Sequence, residues 1–530
     1  MPRSLYLFLV LLAGLNITHT QALATTEAPE IEKLLASPQV QLGGQTITTN
    51  ELKSFYAPRA FQPLWTANSA SDVLNTLKHT AEDHGLNPDA YGVSEDLTDA
   101  PHELLVSASL TRLGHDLATG RIPPYRLVGG IGEGTRPHFD GVSLLKSIAQ
   151  GSNPADLLTQ LTPQTPNYLG LSAGLKSFRS IAKTGGWPTI SDGPPVKPDE
   201  SDARIPTLRA RLIVSGDLSS TETASTILDA ELVIALKRFQ IRHGLEPDGA
   251  IGKRTLAALN VPVATRIRQI EVSMERLRQL PRQREADRID VNIASQTLIL
   301  YTNQAPVLEM RVVTGDVKHQ TPTMATRVAA LTVNPTWTVP ASIARKEILP
   351  KLKRDPNYLA HNNLHILDAF PENSPEAEGS SVDWTKMGKS FPYVLRQVPG
   401  PDNALGQLKF NLQNQDAIYM HDTPQKAFFK RSYRLLSHGC IRLEHPLDLA
   451  DQLLGAEWHE KLPPLIAEGK TRTLILKHSL PVYLMYQTAW AEPDGGIAFR
   501  DDSYGNDQRL DQAIGQSATF TPKDGGQENL

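Results

Sequence analysis

The sequence predicts an α+β multidomain protein, with a mostly helical N-terminal scaffold, a small three-helix module and a mainly β C-terminal domain that carries a helical insertion. Apolar residues recur at helical spacing up to about residue 260 and alternate at strand spacing from residue 290 onward, until a helix-like stretch interrupts them. A chain of 530 residues suggests about three or four domains, and 40% hydrophobic residues can fill several cores. The formal net charge of -4 argues against nucleic acid as a main partner.

Residues 1–24 have the layout of a secretory signal peptide. Arg3 precedes an apolar run from Leu5 to Leu15, and the stretch Ala22–Ala24 offers a small-x-small cleavage site. The apolar run is short for a membrane span, although an uncleaved N-terminal anchor is the alternative. No cysteine follows the run, so a lipoprotein anchor is excluded. We therefore expect an exported protein.

Residues 25–203 predict a mostly helical scaffold without evident chemistry. Leucines recur near helical spacing between Leu105 and Leu117. A second helical run stops at Gly185–Gly186, where glycine commonly terminates a helix. The polar, proline-rich stretch Ser191–Asp202 has the composition of a linker.

Residues 204–262 predict a compact unit of helix, tight turn and helix. Val233, Leu236 and Phe239 share one helical face, and Asp248–Gly249 supplies a turn. The stretch "LKRFQIRHGLEPDGAIGKRTLAALN" resembles the three-helix peptidoglycan-binding module found on many cell-wall enzymes. The resemblance implies wall binding, and the alternative is a structural bundle that binds nothing.

Residues 263–288 predict a connecting helix. Its apolar residues, from Ile267 to Leu277, lie on one face. Seven arginines and four acids occupy its other positions between Ala264 and Arg288. Such a pattern is typical of a solvated helix.

Residues 289–488 predict the mainly β domain, and residues 489–530 a C-terminal tail. The first strands are rich in Val, Ile, Leu and Thr, with a hairpin turn at Asn303–Gln304. Residues from about 341 to 406 break this pattern with a helix-like segment and the loop "PENSPEAEGSSVDW". We interpret them as an insertion placed where it could cover a cleft like a lid.

Cys440 is the only cysteine of the chain. In an oxidising compartment structural cysteines occur in pairs, so an unpaired thiol beside His, Gly and Arg suggests chemistry. A cysteine of ordinary pKa is mostly protonated at neutral pH and needs a base or nearby positive charge to react. His438, two residues before it, and His421, at the end of a strand-like segment, are the candidate bases.

The segment around the cysteine also predicts a positive field and a tight turn. Gly439 lets the backbone pass closely, so that successive N–H groups can face a developing oxyanion. We expect the field to favour the thiolate and to attract a carboxylate-bearing substrate. The basic residues are Lys426, Lys430, Arg431, Arg434 and Arg442.

The motif "H-x(16)-S-H-G-C-I-R", from His421 to Arg442, resembles the signature of the L,D-transpeptidase catalytic domain, and "VNPTWTVPASIARKEILPKL" resembles its large periplasmic members. The resemblance implies Cys440 as nucleophile and His421 as base. It implies an oxyanion hole from the N–H groups of Gly439 and Cys440, helped by the Tyr419 hydroxyl. Further residues that shape or charge the site are Ser437, His438 and Arg442.

Two assignments stay open at this point. The group that orients the base is often a backbone carbonyl in this family, so the Asp422 carboxylate is not assumed to serve. Arg442 could instead form a structural salt bridge to Glu444.

The resemblance implies a two-step acyl transfer without metal or cofactor. The donor is a peptidoglycan tetrapeptide stem, whose terminal D-alanine is released, and the usual acceptor is an amine on a neighbouring stem, which yields a 3→3 cross-link. Members of the family may instead attach a wall lipoprotein, exchange the terminal D-amino acid or cut such links, and the motif does not distinguish these reactions. It also implies acylation by carbapenems. From the leader we expect a periplasmic location. In the periplasm the protein could associate with other wall-synthesis enzymes at the membrane.

Two rival functions remain compatible with parts of the sequence. A Cys-His endopeptidase of the wall would use the same nucleophile with water as acceptor. A metal-dependent peptidase would use histidines, but "HNNLH" lacks the glutamate of the zinc-peptidase helix. The histidines available to it are His361, His365, His421 and His438.

Overall fold

The computed structural model describes residues 27–93, 99–122, 137–219, 224–367, 376–377, 382–387 and 391–517. The predicted signal peptide at 1–24 and most of the insertion loop at 371–384 lie outside these ranges. None of the helices within them combines the length and the apolar character of a membrane span.

The N-terminal scaffold is helical, apart from a hairpin of β1 (Gln39–Leu42) and β2 (Gln45–Thr48). The leucines predicted on one helical face, Leu105, Leu110, Leu113 and Leu117, are buried in its core. Gly185 and Gly186 follow the last helix with positive φ, as predicted. The helices are Asn50–Tyr56, Ala67–Asp83, Asp99–Thr119, Gly141–Ala149, Pro154–Leu161 and Pro166–Lys183, after a first one at 27–34.

The next unit has the predicted three helices: Ile205–Val214, Ala230–Arg242 and Lys253–Leu259. Leu236 and Phe239 are fully buried between them. The buried Gln240 amide donates to the Asp248 carboxylate and the Ala250 carbonyl and accepts from the Gly249 N–H. A single buried side chain therefore fixes the turn between the second and third helices.

The connecting helix, Val263–Arg278, is buried, so the expectation of a solvated helix was wrong. It packs against the scaffold helix Pro166–Lys183 and the C-terminal elements. Two of its buried arginines are tolerated there because they are paired: Arg278 contacts Glu275 at 2.9 Å, and Arg276 contacts Asp507 at 2.6 Å. Sequence periodicity cannot distinguish paired buried charges from solvated ones.

The mainly β domain is built on a sheet in the order β13-β5-β14-β12-β11-β6-β15-β3-β4. Because β4 also pairs with β5, the sheet closes on itself around a core of aliphatic side chains. Asn303 and Gln304 form the predicted hairpin turn with positive φ. The strands of this domain are β3 (Arg288–Asn292), β4 (Thr297–Thr302), β5 (Ala305–Gly315), β6 (Met324–Val333), β7 (Trp337–Thr338), β8 (Leu364–Leu367), β9 (Glu376–Ala377), β10 (Val394–Gln397), β11 (Leu408–Leu412), β12 (Met420–His421), β13 (Leu435–Ser437), β14 (Ile441–Leu443) and β15 (Arg472–Met485).

The insertion is part helix and part sheet, and two further α-helices lie between β14 and β15. Strands β7, β10, β8 and β9 form a separate antiparallel sheet over its own apolar core. The sequence predicted helix and loop here, because strands of two to four residues are too short to show an alternating pattern. The helical segments are Ala341–Ile343, Ala344–Ile348 (a π-helical turn), Leu349–Leu352 and Tyr358–His361, and the domain adds Pro446–Leu454 and Leu462–Ala467.

Residues 489–517 are folded, whereas the sequence predicted a tail from residue 489. Strands β16 (Ala489–Ala491) and β17 (Ile497–Phe499) pair with each other, and the helix Asn506–Ser517 contacts the connecting helix. Ala489, Ile497 and Phe499 are buried against the scaffold and connecting helices. The C-terminal segment therefore ties the helical and β parts together.

Candidate active site

Two short parallel strands place the motif residues together. In the pair of β12 and β14, Met420 lies opposite Ile441 and His421 opposite Arg442, and the Ile441 N–H donates to the Tyr419 carbonyl at 3.0 Å. Met420 and Ile441 are completely buried in the sheet's core. Because side chains alternate along a strand, residues 419, 421, 440 and 442 share the opposite face.

The loop before the cysteine is held by two buried hydroxyl groups. Ser437 donates to the Cys440 carbonyl at 2.6 Å and accepts from the Gly439 N–H at 3.1 Å. Thr321 donates to the Gly439 carbonyl at 2.7 Å. Gly439 has φ 112°, a conformation that favours glycine. The Gly439 N–H therefore points to Ser437 in this conformation. Of the groups expected in the oxyanion hole, the Cys440 N–H and the Tyr419 hydroxyl are left.

Cys440 is a free, partly exposed thiol. Its sulfur lies 3.8 Å from the Ala417 carbonyl and accepts hydrogen bonds from the backbone N–H and the hydroxyl of Tyr419. Burial raises the pKa of the thiol, and the Tyr419 hydrogen bonds and the charges of Lys409 and Arg442 oppose that shift without cancelling it. The resting group is therefore the protonated thiol.

The predicted field of basic residues does not act as expected. Lys426 is neutralised by Asp422 at 2.6 Å, and Arg434 is buried with its guanidinium on backbone carbonyls, among them that of Val312. Lys430 and Arg431 are exposed to solvent. These residues are close to Cys440 in sequence, which predicted that they would favour the thiolate, but their side chains are directed elsewhere. Burial is the largest influence on the pKa of the thiol.

His421 is buried, at 5% exposure, and its Nδ1 lies 2.5 Å from the Asp422 carbonyl oxygen. A carbonyl can only accept, so Nδ1 carries the proton and Nε2 has its lone pair available. Burial, together with the charge of Arg442, lowers the pKa of His421 to about 3. The imidazole is therefore neutral at pH 7. The register partner of His421 on the neighbouring parallel strand is Arg442, two residues after Cys440.

The Asp422 carboxylate is directed away from His421. One oxygen accepts from the Thr423 N–H and Lys426, and the other accepts from the Gln407 N–H at 2.9 Å. The group that orients His421 in the structure is thus the backbone carbonyl of Asp422.

Tyr419 connects the cysteine to the insertion. Its hydroxyl donates to the Cys440 sulfur and accepts from the Trp337 indole, and burial raises its pKa well above the usual value. The Lys409 ammonium lies 4.5 Å from the centre of the Tyr419 ring, and Lys409 pairs with His421 across β11 and β12. Sequence analysis missed Lys409, which belongs to neither quoted motif, and gave no role to Trp337, although Trp337 lies in the quoted upstream stretch.

His438 points away from the thiol. Its Nε2 lies 2.6 Å from the Glu347 carboxylate in the insertion, and its ring lies 4.4 Å from the ring of His319. The turn at Gly439 separates it from the face that Cys440 and His421 share. Of the two candidate bases, the geometry favours His421.

Arg442 is bound to Gln425, with Nη1 2.8 Å from the amide oxygen. Its Nε is buried and has no hydrogen-bond partner among the described residues. Glu444 instead accepts from the Arg311 N–H. Burial lowers the pKa of Arg442, while the neighbouring Cys440 and Tyr419 favour its charge. Its guanidinium therefore stays next to the reactive face.

The histidines of the metal hypothesis lie in different elements. His361 ends a short helix and pairs with Asp355 at 3.1 Å, and His365 lies in β8. Over the described ranges, no group of three or more His, Cys, Asp or Glu side chains is arranged to hold a metal ion.

Comparison with known families matches three segments of the chain. Residues 286–484 match the family described as "L,D-transpeptidase catalytic domain", residues 50–175 a "Scaffold domain", and residues 201–259 a "Putative peptidoglycan binding domain". A curated relative from Haemophilus influenzae, "Putative L,D-transpeptidase", is 38% identical over 247 residues, which are 46% of this chain and 49% of that protein. The chain thus spans about half the length of this relative.

Three solved structures also match. The "Ldtfm-avibactam carbamoyl enzyme" is 13% identical with a TM-score of 0.18, over 39% of this chain and 51% of that one. An L,D-transpeptidase from Mycobacterium smegmatis is 12% identical with a TM-score of 0.19, over 38% of this chain and 58% of that one. An L,D-transpeptidase from Xylanimonas cellulosilytica is 14% identical with a TM-score of 0.18, over 56% of this chain and 99% of that one. These TM-scores are too low to support an argument. Residues 286–484 are thus similar to the L,D-transpeptidase catalytic domain family, in one chain with segments similar to a scaffold domain and a peptidoglycan-binding domain.

Proposed function

We propose that this protein is an L,D-transpeptidase that cross-links peptidoglycan through a Cys440 acyl-enzyme. The observation that carries the proposal is the pairing of β12 with β14. It puts the thiol of Cys440 and the neutral imidazole of His421 on one face, with the imidazole oriented by the Asp422 carbonyl. A protonated thiol beside a neutral, oriented imidazole is suited to general-base activation at the moment of attack.

In the first step, the sulfur of Cys440 attacks the carbonyl of the third residue of a tetrapeptide stem. His421 Nε2 takes the thiol proton, and the developing oxyanion is met by the Cys440 N–H and the Tyr419 hydroxyl. The C–N bond to the terminal D-alanine then breaks, and His421 returns the proton to the leaving amine. The product is a thioester.

In the second step, an amine on a neighbouring stem attacks the thioester carbonyl. His421 accepts a proton from the amine, the C–S bond breaks, and the sulfur is reprotonated. The new amide is a 3→3 cross-link. Arg442 and Lys409 supply positive charge beside the thiol, which suits a donor stem that bears carboxylates.

The insertion and strand β7, which pairs with it, both contact the site, and this supports transfer over hydrolysis. Trp337 donates to Tyr419, and Glu347 pairs with His438. A covering element that limits water would leave the acceptor amine as the main route by which the thioester is resolved.

The proposal includes location and partners. An exported protein with a peptidoglycan-binding domain would act in the periplasm on wall peptide stems, near other wall-synthesis enzymes. The three-helix module would hold the polymer while the β domain acts. No metal or cofactor takes part in the steps above.

The test is product analysis with a purified tetrapeptide stem, with and without a second stem that offers the amine. The proposal predicts release of D-alanine and an amine-dependent dimer, both lost in Cys440→Ala. The alternative is a Cys-His wall endopeptidase, which would give the same dependence on Cys440. Hydrolysed stem without dimer at saturating amine would favour that alternative and refute cross-linking.

A further inference from the structure

A small cavity lies where the peptidoglycan-binding module meets the rest of the protein, far along the chain from the motif residues. The module contributes Arg211, Phe239 and Arg242, and the connecting helix contributes Arg266. Aromatic side chains from the scaffold part and from β17, including Trp187 and Phe499, complete the wall. The space has room for about one water molecule or one ion of that size.

Arg211 is buried at 2% exposure, and it has spare hydrogen-bond donors. Its Nε donates to the Leu259 carbonyl at 2.9 Å, and its guanidinium lies 3.8 Å from the Trp187 ring centre. Its Nη1 is buried without a hydrogen-bond partner in the described part of the chain. Buried guanidinium groups normally have their donors satisfied, so this nitrogen calls for an acceptor.

Arg266, on the connecting helix, is likewise buried, at 6% exposure, and also has an unused hydrogen-bond donor. Its Nη1 donates to Gln269 at 2.9 Å, and its guanidinium lies 4.6 Å from the Phe499 ring centre. Its Nε is buried and, among described residues, has no partner. Two cations with unused donors thus line one cavity from two different units.

The charges around the cavity do not cancel. Arg242 is neutralised by Asp217, which it contacts at 2.6 Å and 2.7 Å. His243 is neutral, since burial and the neighbouring arginines hold its pKa well below the usual range. Neither Arg211 nor Arg266 forms an ion pair with a described acid, although the more distant Asp217 and Asp501 favour their charges. Burial lowers the pKa of Arg211 to about 9 and of Arg266 to about 10.

We propose that this cavity binds one small inorganic anion of about the size of chloride, and that the anion fixes the peptidoglycan-binding module to the connecting helix. The unpaired nitrogens of Arg211 and Arg266 supply two donors from the two units, so the bound ion bridges them. The aromatic walls and the small volume exclude polyatomic anions such as sulfate. The module's position beside the catalytic domain is thereby coupled to halide concentration.

The direct test is a crystal of the full chain soaked in sodium bromide and measured at the bromine absorption edge. We expect one anomalous peak between the guanidinium groups of Arg211 and Arg266. The absence of a peak there, with water alone in the cavity, would overturn the proposal.

The solution test is thermal unfolding of the full chain in sodium chloride or sodium gluconate at equal ionic strength near 0.15 M, with ionic strength matched because salt also screens other charges. We expect a higher Tm in chloride for the wild type and for Arg238→Met, which removes an exposed arginine from the same module. The difference should vanish in Arg211→Met. Equal Tm values for the wild type in both salts would mean binding at crystal concentration only, and would overturn the coupling. If Arg211→Met does not fold, Arg266→Gln takes its place, and the bromide peak in the wild type decides on its own.

Discussion

We predict that the Ser437 hydroxyl is required to hold the loop before Cys440. The loss of stability on removing this hydroxyl can be estimated from the two hydrogen bonds that it makes. Ser437→Ala leaves the Cys440 carbonyl and the Gly439 N–H, both now bonded to Ser437, without that partner. Each buried group left unsatisfied costs about 1–3 kcal/mol. We use the lower limit, because water can reach a loop that ends in a partly exposed cysteine. Two such losses should therefore lower the free energy of unfolding by about 2 kcal/mol.

The same change should slow the chemistry. A loop that moves by about 1 Å can cost on the order of 10²-fold in rate, since the thiol must meet both His421 and the substrate carbonyl. The assay is carbapenem acylation followed by intact-protein mass spectrometry, together with urea unfolding. Ser432→Ala is the matched control, because that half-buried serine only accepts a long 3.4 Å contact from Arg254. Acylation within about twofold of the wild type in folded Ser437→Ala would refute the reasoning.

Three further predictions concern the groups around the thiol. His421→Ala should slow acylation by about 10²–10⁴-fold, as measured by intact mass, because the general base is removed. Glu347→Gln should change the free energy of unfolding by less than about 1 kcal/mol, because its pair with His438 is partly exposed, yet it should raise hydrolysis relative to transfer in product analysis. Alkylation of Cys440 should accelerate as the pH rises from 7 to 9, because burial raises the pKa of the thiol. Lys409→Met should shift the pH dependence of the alkylation rate further to alkaline pH, because a charge that favours the thiolate is lost.

Each of these has its own control. His438→Ala should cost less than His421→Ala, and the reverse order would show that the base is wrongly assigned. Lys430→Met removes an exposed lysine and should leave the alkylation profile unchanged. An unchanged ratio of hydrolysis to transfer in Glu347→Gln would mean that this contact does not limit water.

The sequence was sufficient for features that depend on local pattern. The hairpin at Asn303–Gln304 and the helix–turn–helix of the small module follow from periodicity and turn chemistry, and the resemblance to a known family added the module's third helix. The residues alone left His421 and His438 as candidate partners of Cys440, and the family resemblance implied His421; the structure places Cys440 and His421 on one face of neighbouring strands.

Other features depend on contacts between distant segments, which a single sequence does not display. Trp337 and Lys409 reach Tyr419 only because the insertion and β11 lie beside β12. The thiol's raised pKa depends on burial, so counting nearby lysines and arginines gave the wrong sign. The buried Arg278 likewise reads as a surface residue until Glu275 and the scaffold are packed against it.

The central claim is that Cys440 forms the acyl-enzyme, and intact-protein mass spectrometry after mixing with a carbapenem tests it most directly. The single cysteine makes the readout clean, since any thiol adduct must sit on Cys440. The account predicts one stoichiometric adduct, absent in Cys440→Ala and slow to form in His421→Ala. An unmodified wild-type protein whose Cys440 is still labelled by iodoacetamide would contradict it, because the thiol would then be accessible but not set up for acyl transfer.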